Sequence, residues 1–337
     1  MRDAAVSGAP RPQIVILGAG ALGSILAAHL ARAGQRVTVL ARGRRAAQVR
    51  EQGLKIRGLA QLEVPVSVLE EPARCPDAET LIVCTKTHDT RATLEPLRHA
   101  RFDTVLSLQN GVLKDELLRQ AFGAAAVLGA LADSSGELEA DGAVLFTRNE
   151  CIAVGELRAS AQRRAEPLAA LLKAVGIGAR AVDDIESLEW CKFASWAALM
   201  VLSVTTRAPT PKFLRDPDGA RLLVRLVREM GALAVAHGAV LADAVTLPVA
   251  TLCTRPESEG QALVREFGAR LEAVAPLHRM SSLQDLIAGR PLEIEETLAD
   301  ALARATRLGL SLPLLEVGHA LAAAIDRTAR RTPTSAA

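Results

Sequence analysis

Ile14-Val15-Ile16-Leu17-Gly18-Ala19-Gly20-Ala21-Leu22-Gly23 joins a short, wholly apolar run to three glycines spaced G-x-G-x-x-G. An Ala- and Leu-rich stretch with helical spacing, residues 24–33, follows at once. This order predicts a buried parallel strand, a tight turn and a helix N-terminus. Each glycine has a separate physical task. Gly18 lets the chain turn sharply, and Gly20 carries no side chain to keep a pyrophosphate away. Gly23 lets helix and strand pack closely, while N–H groups of the first helical turn, from Ala21, Leu22 and Gly23, face the anion. Gly-rich turns are common, so the strand–turn–helix context carries the reading.

The rest of the chain bounds what such a motif can belong to. At 337 residues it exceeds one average domain, and half of it is hydrophobic, ample for two cores. A formal net charge of +2 suggests neither nucleic acid nor a membrane surface as a partner. With no Tyr, six Phe and two Trp, there is little to stack on bases. Cys75, Cys84, Cys151, Cys191 and Cys253 are odd in number and form no C-x-x-C. They fit reduced thiols of a cytoplasmic protein, and no metal site is expected. Residues 1–12 read as a loose polar leader and 329–337 as a flexible tail; no run reaches a membrane span.

Strand-like and helix-like segments alternate through the first half. Strands are expected at 14–17, 36–40, 54–57, 64–68, 80–85, 104–108, 127–131 and 152–154, the last pairing with 143–146. Alternation implies right-handed crossovers and a doubly wound parallel sheet of Rossmann type over residues 13–182. Ligands of such sheets lie beyond the carboxyl ends of the strands, so Gly18–Gly23, Arg42, Thr85–Lys86 and Gln109–Asn110 are expected along one edge. Strand signals stop near residue 182. Helical spacing at 185–203, 220–237, 260–275 and 293–307 predicts an all-α domain over 183–328.

A carboxylate at the end of the second strand grips the ribose diol in NAD-binding sheets. Here that strand ends in Ala41-Arg42-Gly43-Arg44-Arg45, with no acid and three guanidinium groups suited to a 2′-phosphate. NADPH is therefore the expected cofactor, with Arg42 its main contact; a solvated basic loop is the alternative.

Several later segments then fall into place. Thr85-Lys86-Thr87-His88-Asp89-Thr90, Leu108-Gln109-Asn110-Gly111-Val112, Glu189-Trp190-Cys191-Lys192-Phe193, Ser281-Ser282-Leu283-Gln284-Asp285 and Gly289-Arg290-Pro291-Leu292-Glu293-Ile294 resemble the ketopantoate reductase family, in order and spacing, from about residue 13 to 325. The resemblance implies a Rossmann-type domain followed by an all-α domain, an active site between them, and a part in pantothenate biosynthesis. It implies Lys192 as the proton donor to the keto oxygen and Glu293 as the carboxylate orienting that lysine and the substrate. Lys86 and Asn110 match residues at the cofactor–substrate edge, and Ser281 the serine holding the substrate carboxylate. The chemistry stands without the analogy, because hydride arriving at a ketone carbon leaves charge on oxygen, which a positioned ammonium stabilises and protonates. Surface or capping roles are the alternatives for each of these residues.

The chain also departs from the family. Asparagines one and two turns beyond the lysine are replaced by Trp196 and Met200, which share its helix face. Two more are replaced by His278 and Leu298. Loss of amide partners relaxes discrimination for a polar substrate. The expectation is NADPH-dependent reduction of a 2-oxo acid, 2-dehydropantoate by default. A more apolar keto or hydroxy compound bound against Trp196 and Met200, or a non-catalytic NADPH sensor, are the alternatives. A homodimer is compatible with the sequence, which does not fix the oligomeric state.

Overall fold

The computed structural model describes residues 14–158 and 162–331. The expected leader and residues 332–337 of the expected tail lie outside them. The chain forms two compact units, one of Met1–Gln109 with Lys114–Ile185, the other of Asn110–Leu113 with Glu186–Ala337.

The first unit holds two sheets. Strands β1 (Ile14–Leu17), β2 (Val37–Leu40), β5 (Ser67–Leu69), β6 (Ala78–Val83) and β7 (Phe102–Ser107) form an all-parallel sheet in the order β5-β2-β1-β6-β7. The order reverses between β1 and β6, and this switch point is where doubly wound sheets bind ligands. The second sheet, mixed in direction, contains β3 (Leu54–Gly58), β4 (Leu62–Val64), β8 (Leu128–Leu138), β9 (Val144–Glu156) and β10 (Ala179–Ala181). Helix α1 (Ala21–Arg32) touches strands of both sheets and is buried from Gly23 to Leu30, a run in which only Ser24 and His29 are polar. Around the sheets lie α2 (Gly43–Gln52), α3 (Thr90–Leu94), α4 (Leu113–Phe122) and α5 (Ala165–Ala174).

The second sheet corrects three expectations. Residues 64–68 are not one strand: Pro65, which has no N–H for a ladder, parts β4 from β5, and the two join different sheets. Residues 143–146 and 152–154 are not partners in a hairpin but two parts of β9. Their partner is β8, which runs past residue 131 to Leu138 with register shifts at Asp133/Ser134 and Ser135/Gly136. Those irregularities, in a polar stretch, hide the period-two signal.

The second unit is helical: α6 (Ile185–Thr206), α7 (Thr210–Arg215), α8 (Pro217–Ala236), α9 (Val249–Thr254), α10 (Glu257–Val274), α11 (Ser281–Ile287), α12 (Asp300–Arg307) and α13 (Pro313–Arg331). Its core is built around α6, apolar from Phe193 to Leu202 apart from Ser195, against α8 and the segments that follow. Residues 293–307 are not one α-helix: Glu295–Ala299 forms a π turn before α12. Residues 329–331 of the expected tail belong to α13, where Asp326 pairs with Arg330 and accepts the Leu292 amide at 3.1 Å. No helix among the described residues is long and apolar enough to cross a membrane.

Candidate active site

Two groups of side chains stand out, one in each unit. The first surrounds the glycine turn. A groove of about 240 Å³ is lined by Gly18, Gly20, Arg42, Arg45, Glu70 and Thr85, among others. That is below the roughly 300–1,000 Å³ of pockets enclosing a whole drug-sized ligand, so it suits one portion of a dinucleotide. The glycines behave as their spacing demands. Gly18 has φ +106°, and a Cβ there would crowd Thr85 at 3.0 Å. A Cβ on Gly23 would lie 2.0 Å from the Gly18 carbonyl oxygen. A Cβ on Gly20 would meet nothing within 4 Å, so the turn leaves open space where an anion can reach the backbone. Gly20 precedes α1 with no side-chain cap, and the helix has no acid in its first turn, so its first N–H groups and the positive end of the dipole are kept for a ligand. These residues fit a nicotinamide dinucleotide's pyrophosphate.

The arginines divide by role. Arg42 and Arg44 are exposed, and Arg42 precedes α2 at the groove. Arg45 is different: its guanidinium donates to the carbonyls of Ala19 and Gly142 at 2.8 Å, to Ser24 Oγ at 2.9 Å and to Gln48 Oε1 at 2.9 Å. Burial lowers its pKa from the usual value. Arg45 thus braces the glycine turn rather than offering a free fork to phosphate. Its spacing from Arg42 gave no hint of this, because three of the four acceptors, on Ala19, Ser24 and Gly142, are distant in sequence.

Lys86 ends the loop after β6 and precedes a 3₁₀ turn, Thr87–Asp89. Its carbonyl accepts from Gln109 Nε2 at 3.1 Å. The buried Gln109 amide also donates to Thr90 Oγ1 at 2.8 Å and to the Thr85 carbonyl at 3.0 Å, and its oxygen accepts from Ser107 Oγ at 2.9 Å. Gln109 is thus a clasp between the ends of β6 and β7, a function that sequence reading did not assign. Burial pushes the Cys84 thiol, in the same loop, up to about 12.

The second group lies in the helical unit, to which Asn110 belongs. Asn110 Oδ1 accepts from Lys192 Nζ at 3.5 Å, and Asn110 Nδ2 donates to Glu293 Oε2 at 3.1 Å. The amide thereby links ammonium to carboxylate in the one orientation that suits both. Lys192 comes from the middle of α6, where Trp190 stacks on His237 at 4.7 Å and Cys191 is fully buried. Glu293, 5% exposed, is fixed by its neighbours: Leu292 N–H binds Asp326, and the Thr297 hydroxyl donates to the Glu293 carbonyl. Gly111, at φ +78°, lies against the π turn, where a Cβ would come within 3.3 Å of Thr297 Cγ2. Irregular helical turns of this kind recur at functional sites.

Other expected site residues are less engaged. Ser281 is half-buried at the first turn of α11. His278 Nδ1 contacts Thr210 Oγ1 at 3.0 Å, and the His278 carbonyl accepts the Thr210 amide at 2.7 Å. Met200 and Leu298 have no exposed surface and belong, with Trp196, to the apolar core of the helical unit. Met200 packs among the apolar side chains of that core.

Comparison with known proteins shows the family. The family model described as "Ketopantoate reductase PanE/ApbA" matches residues 14–159, and "Ketopantoate reductase PanE/ApbA C terminal" matches 184–326. A 2-dehydropantoate 2-reductase of Archaeoglobus fulgidus is 32% identical over 205 residues, 61% of this chain and 68% of that protein. A crystal structure of 2-dehydropantoate 2-reductase from Geobacter metallireducens superposes with a TM-score of 0.80 at 26% identity, covering 93% of this chain and 99% of that one. D-mandelate dehydrogenase, solved with NADH and anilino(oxo)acetate, shares the fold at 19% identity, with a TM-score of 0.82 over 94% of this chain and 99% of that one. The chain belongs to the ketopantoate reductase family and is an oxidoreductase of the nicotinamide-dinucleotide class.

Proposed function

We propose that this protein reduces a 2-oxo acid to the 2-hydroxy acid with NADPH, 2-dehydropantoate giving pantoate being the first substrate to test. The observation that carries the reading is the chain of contacts Lys192–Asn110–Glu293. Bound NADPH supplies a hydride. Lys192 stabilises the charge that grows on the keto oxygen and gives it a proton, so the C=O π bond becomes C–H and O–H bonds. Glu293 holds Lys192 in place through the shared amide and accepts a hydrogen bond from the substrate hydroxyl. Ser281, at the first turn of α11, is the group proposed for the substrate carboxylate. Arg42, exposed at the groove, is the partner proposed for a 2′-phosphate.

A second substrate reading is favoured by one observation. Where the family has asparagines, Trp196, Met200 and Leu298 are buried apolar side chains, so no amide is available from those positions. A less polar 2-oxo acid demands fewer such partners. The experiment is NADPH oxidation, followed by absorbance, across a panel of 2-oxo acids of rising apolar bulk. Highest kcat/KM for 2-dehydropantoate supports the first substrate; highest for a bulkier acid supports the second. Consumption of NADPH with none of them refutes the reductase reading. Lys192→Ala is expected to leave the NADPH Kd within about twofold and to lower kcat by at least ~10²-fold.

A further inference from the structure

No acid ends β2, yet one reaches the same groove from the neighbouring strand. Leu40 pairs with Leu69 in parallel register, and the Ala41 amide donates to the Leu69 carbonyl at 3.2 Å. Glu70, the next residue, therefore lies beside Ala41 and Arg42, and it lines the groove with Arg42. A bare carboxylate here would favour a ribose diol and repel a 2′-phosphate. Glu70 is not bare: Arg50 of α2 holds its Oε1 at 2.6 Å, and Arg50 is outside the groove lining.

We infer that the Arg50–Glu70 pair is a cofactor-selectivity element in which Arg50 acts through Glu70, neutralising an acid that would otherwise select against the 2′-phosphate. The inference rests on the NADPH reading above, and Arg50 is a positioning residue rather than a ligand. Both side chains are about half exposed, so the neutralisation is partial and salt-sensitive, and Glu70 keeps a residual bias against the 2′-phosphate.

The test is calorimetric titration of the full-length protein with NADPH and with NADH. Glu70→Gln is expected to tighten NADPH about two- to fivefold and leave NADH unchanged. Arg50→Ala is expected to weaken NADPH by a similar factor, again sparing NADH. In the Glu70→Gln background, Arg50→Ala should add nothing, and both effects should shrink near 1 M salt. Three results overturn the inference: no change in the NADPH-to-NADH ratio for Glu70→Gln; a change that comes from weaker NADH, which would make Glu70 a ribose ligand; or an Arg50→Ala effect that persists without Glu70. Tighter binding of NADH than NADPH by the unaltered protein would refute the NADPH reading alone, since the two substitutions would still move the ratio in opposite directions.

Discussion

Alanine at Gly20 and alanine at Gly23 add the same methyl group three residues apart, and the structure assigns them opposite consequences. At Gly23 the new carbon would sit 2.0 Å from the Gly18 carbonyl oxygen, whereas ordinary contact begins near 3.4 Å. The start of α1 would have to retreat about 1.4 Å from the turn, and α1 is buried against both sheets. Overpacking against backbone in such a place costs about 3 kcal/mol, and Tm should fall by roughly 6–12 °C for a unit of this size. At Gly20 the added carbon meets nothing within 4 Å, and φ −69° suits any L-residue. Restricting the unfolded chain should then stabilise the free protein by about 0.4–1 kcal/mol, a rise of some 1–4 °C. The same carbon would occupy the approach to the first N–H groups of α1, so Kd for the dinucleotide should rise ~10–100-fold. Thermal unfolding of both variants and calorimetric titration of Gly20→Ala measure these quantities. A Gly20→Ala protein that melts lower than the parent and binds the dinucleotide equally well would refute the argument, because it would mean that Gly20 serves the protein's own packing.

Three further outcomes are expected. Gln109→Leu should destabilise by about 2–4 kcal/mol in urea unfolding, since the Thr85 and Lys86 carbonyls lose their donor; a change under ~0.5 kcal/mol would contradict the clasp. Burial raises Cys84 to about 12 and Cys75 and Cys253 to about 11 from an ordinary 9, so the folded protein keeps protons that the unfolded chain releases. Their contribution to stability is complete below pH 9 and is lost as pH rises towards 11–12; Tm should fall across that window, and less steeply in Cys84→Ala. Lys192→Ala should separate dinucleotide binding from turnover, as set out above.

The elements with strong local signals were legible in the sequence. The G-x-G-x-x-G turn, the parallel strands around it and α6, α8 and α10 are each specified by glycine spacing or apolar runs within a few residues. Long-range partnerships were not. Arg45 looked like Arg42 because both follow β2, and only folding delivers Ala19 and Gly142 to its guanidinium. Glu70 was invisible as a groove residue because it follows β5, and strand order rather than sequence brings it beside Arg42. The depth at which Met200 sits was not legible either: the helical face it shares with Lys192 is fully buried eight residues along α6. The β8–β9 ladder escaped because its bulges interrupt alternation. The Lys192, Asn110 and Glu293 positions came from motif resemblance, and the contacts among them came from the fold.

The placement of Asn110–Leu113 with the helical unit, although the surrounding sequence builds the sheets, bears on how such proteins can be recombined. A gene cut near residue 185 yields a helical fragment without the amide that joins Lys192 to Glu293 and without the glycine that lies against the Thr297 turn. Chimeras between relatives that exchange everything after that point would import a lysine and a glutamate shaped around a foreign Asn-Gly loop. Those four residues should therefore travel with the C-terminal half, as an inherited graft, whenever substrate preference is to be moved from one relative to another.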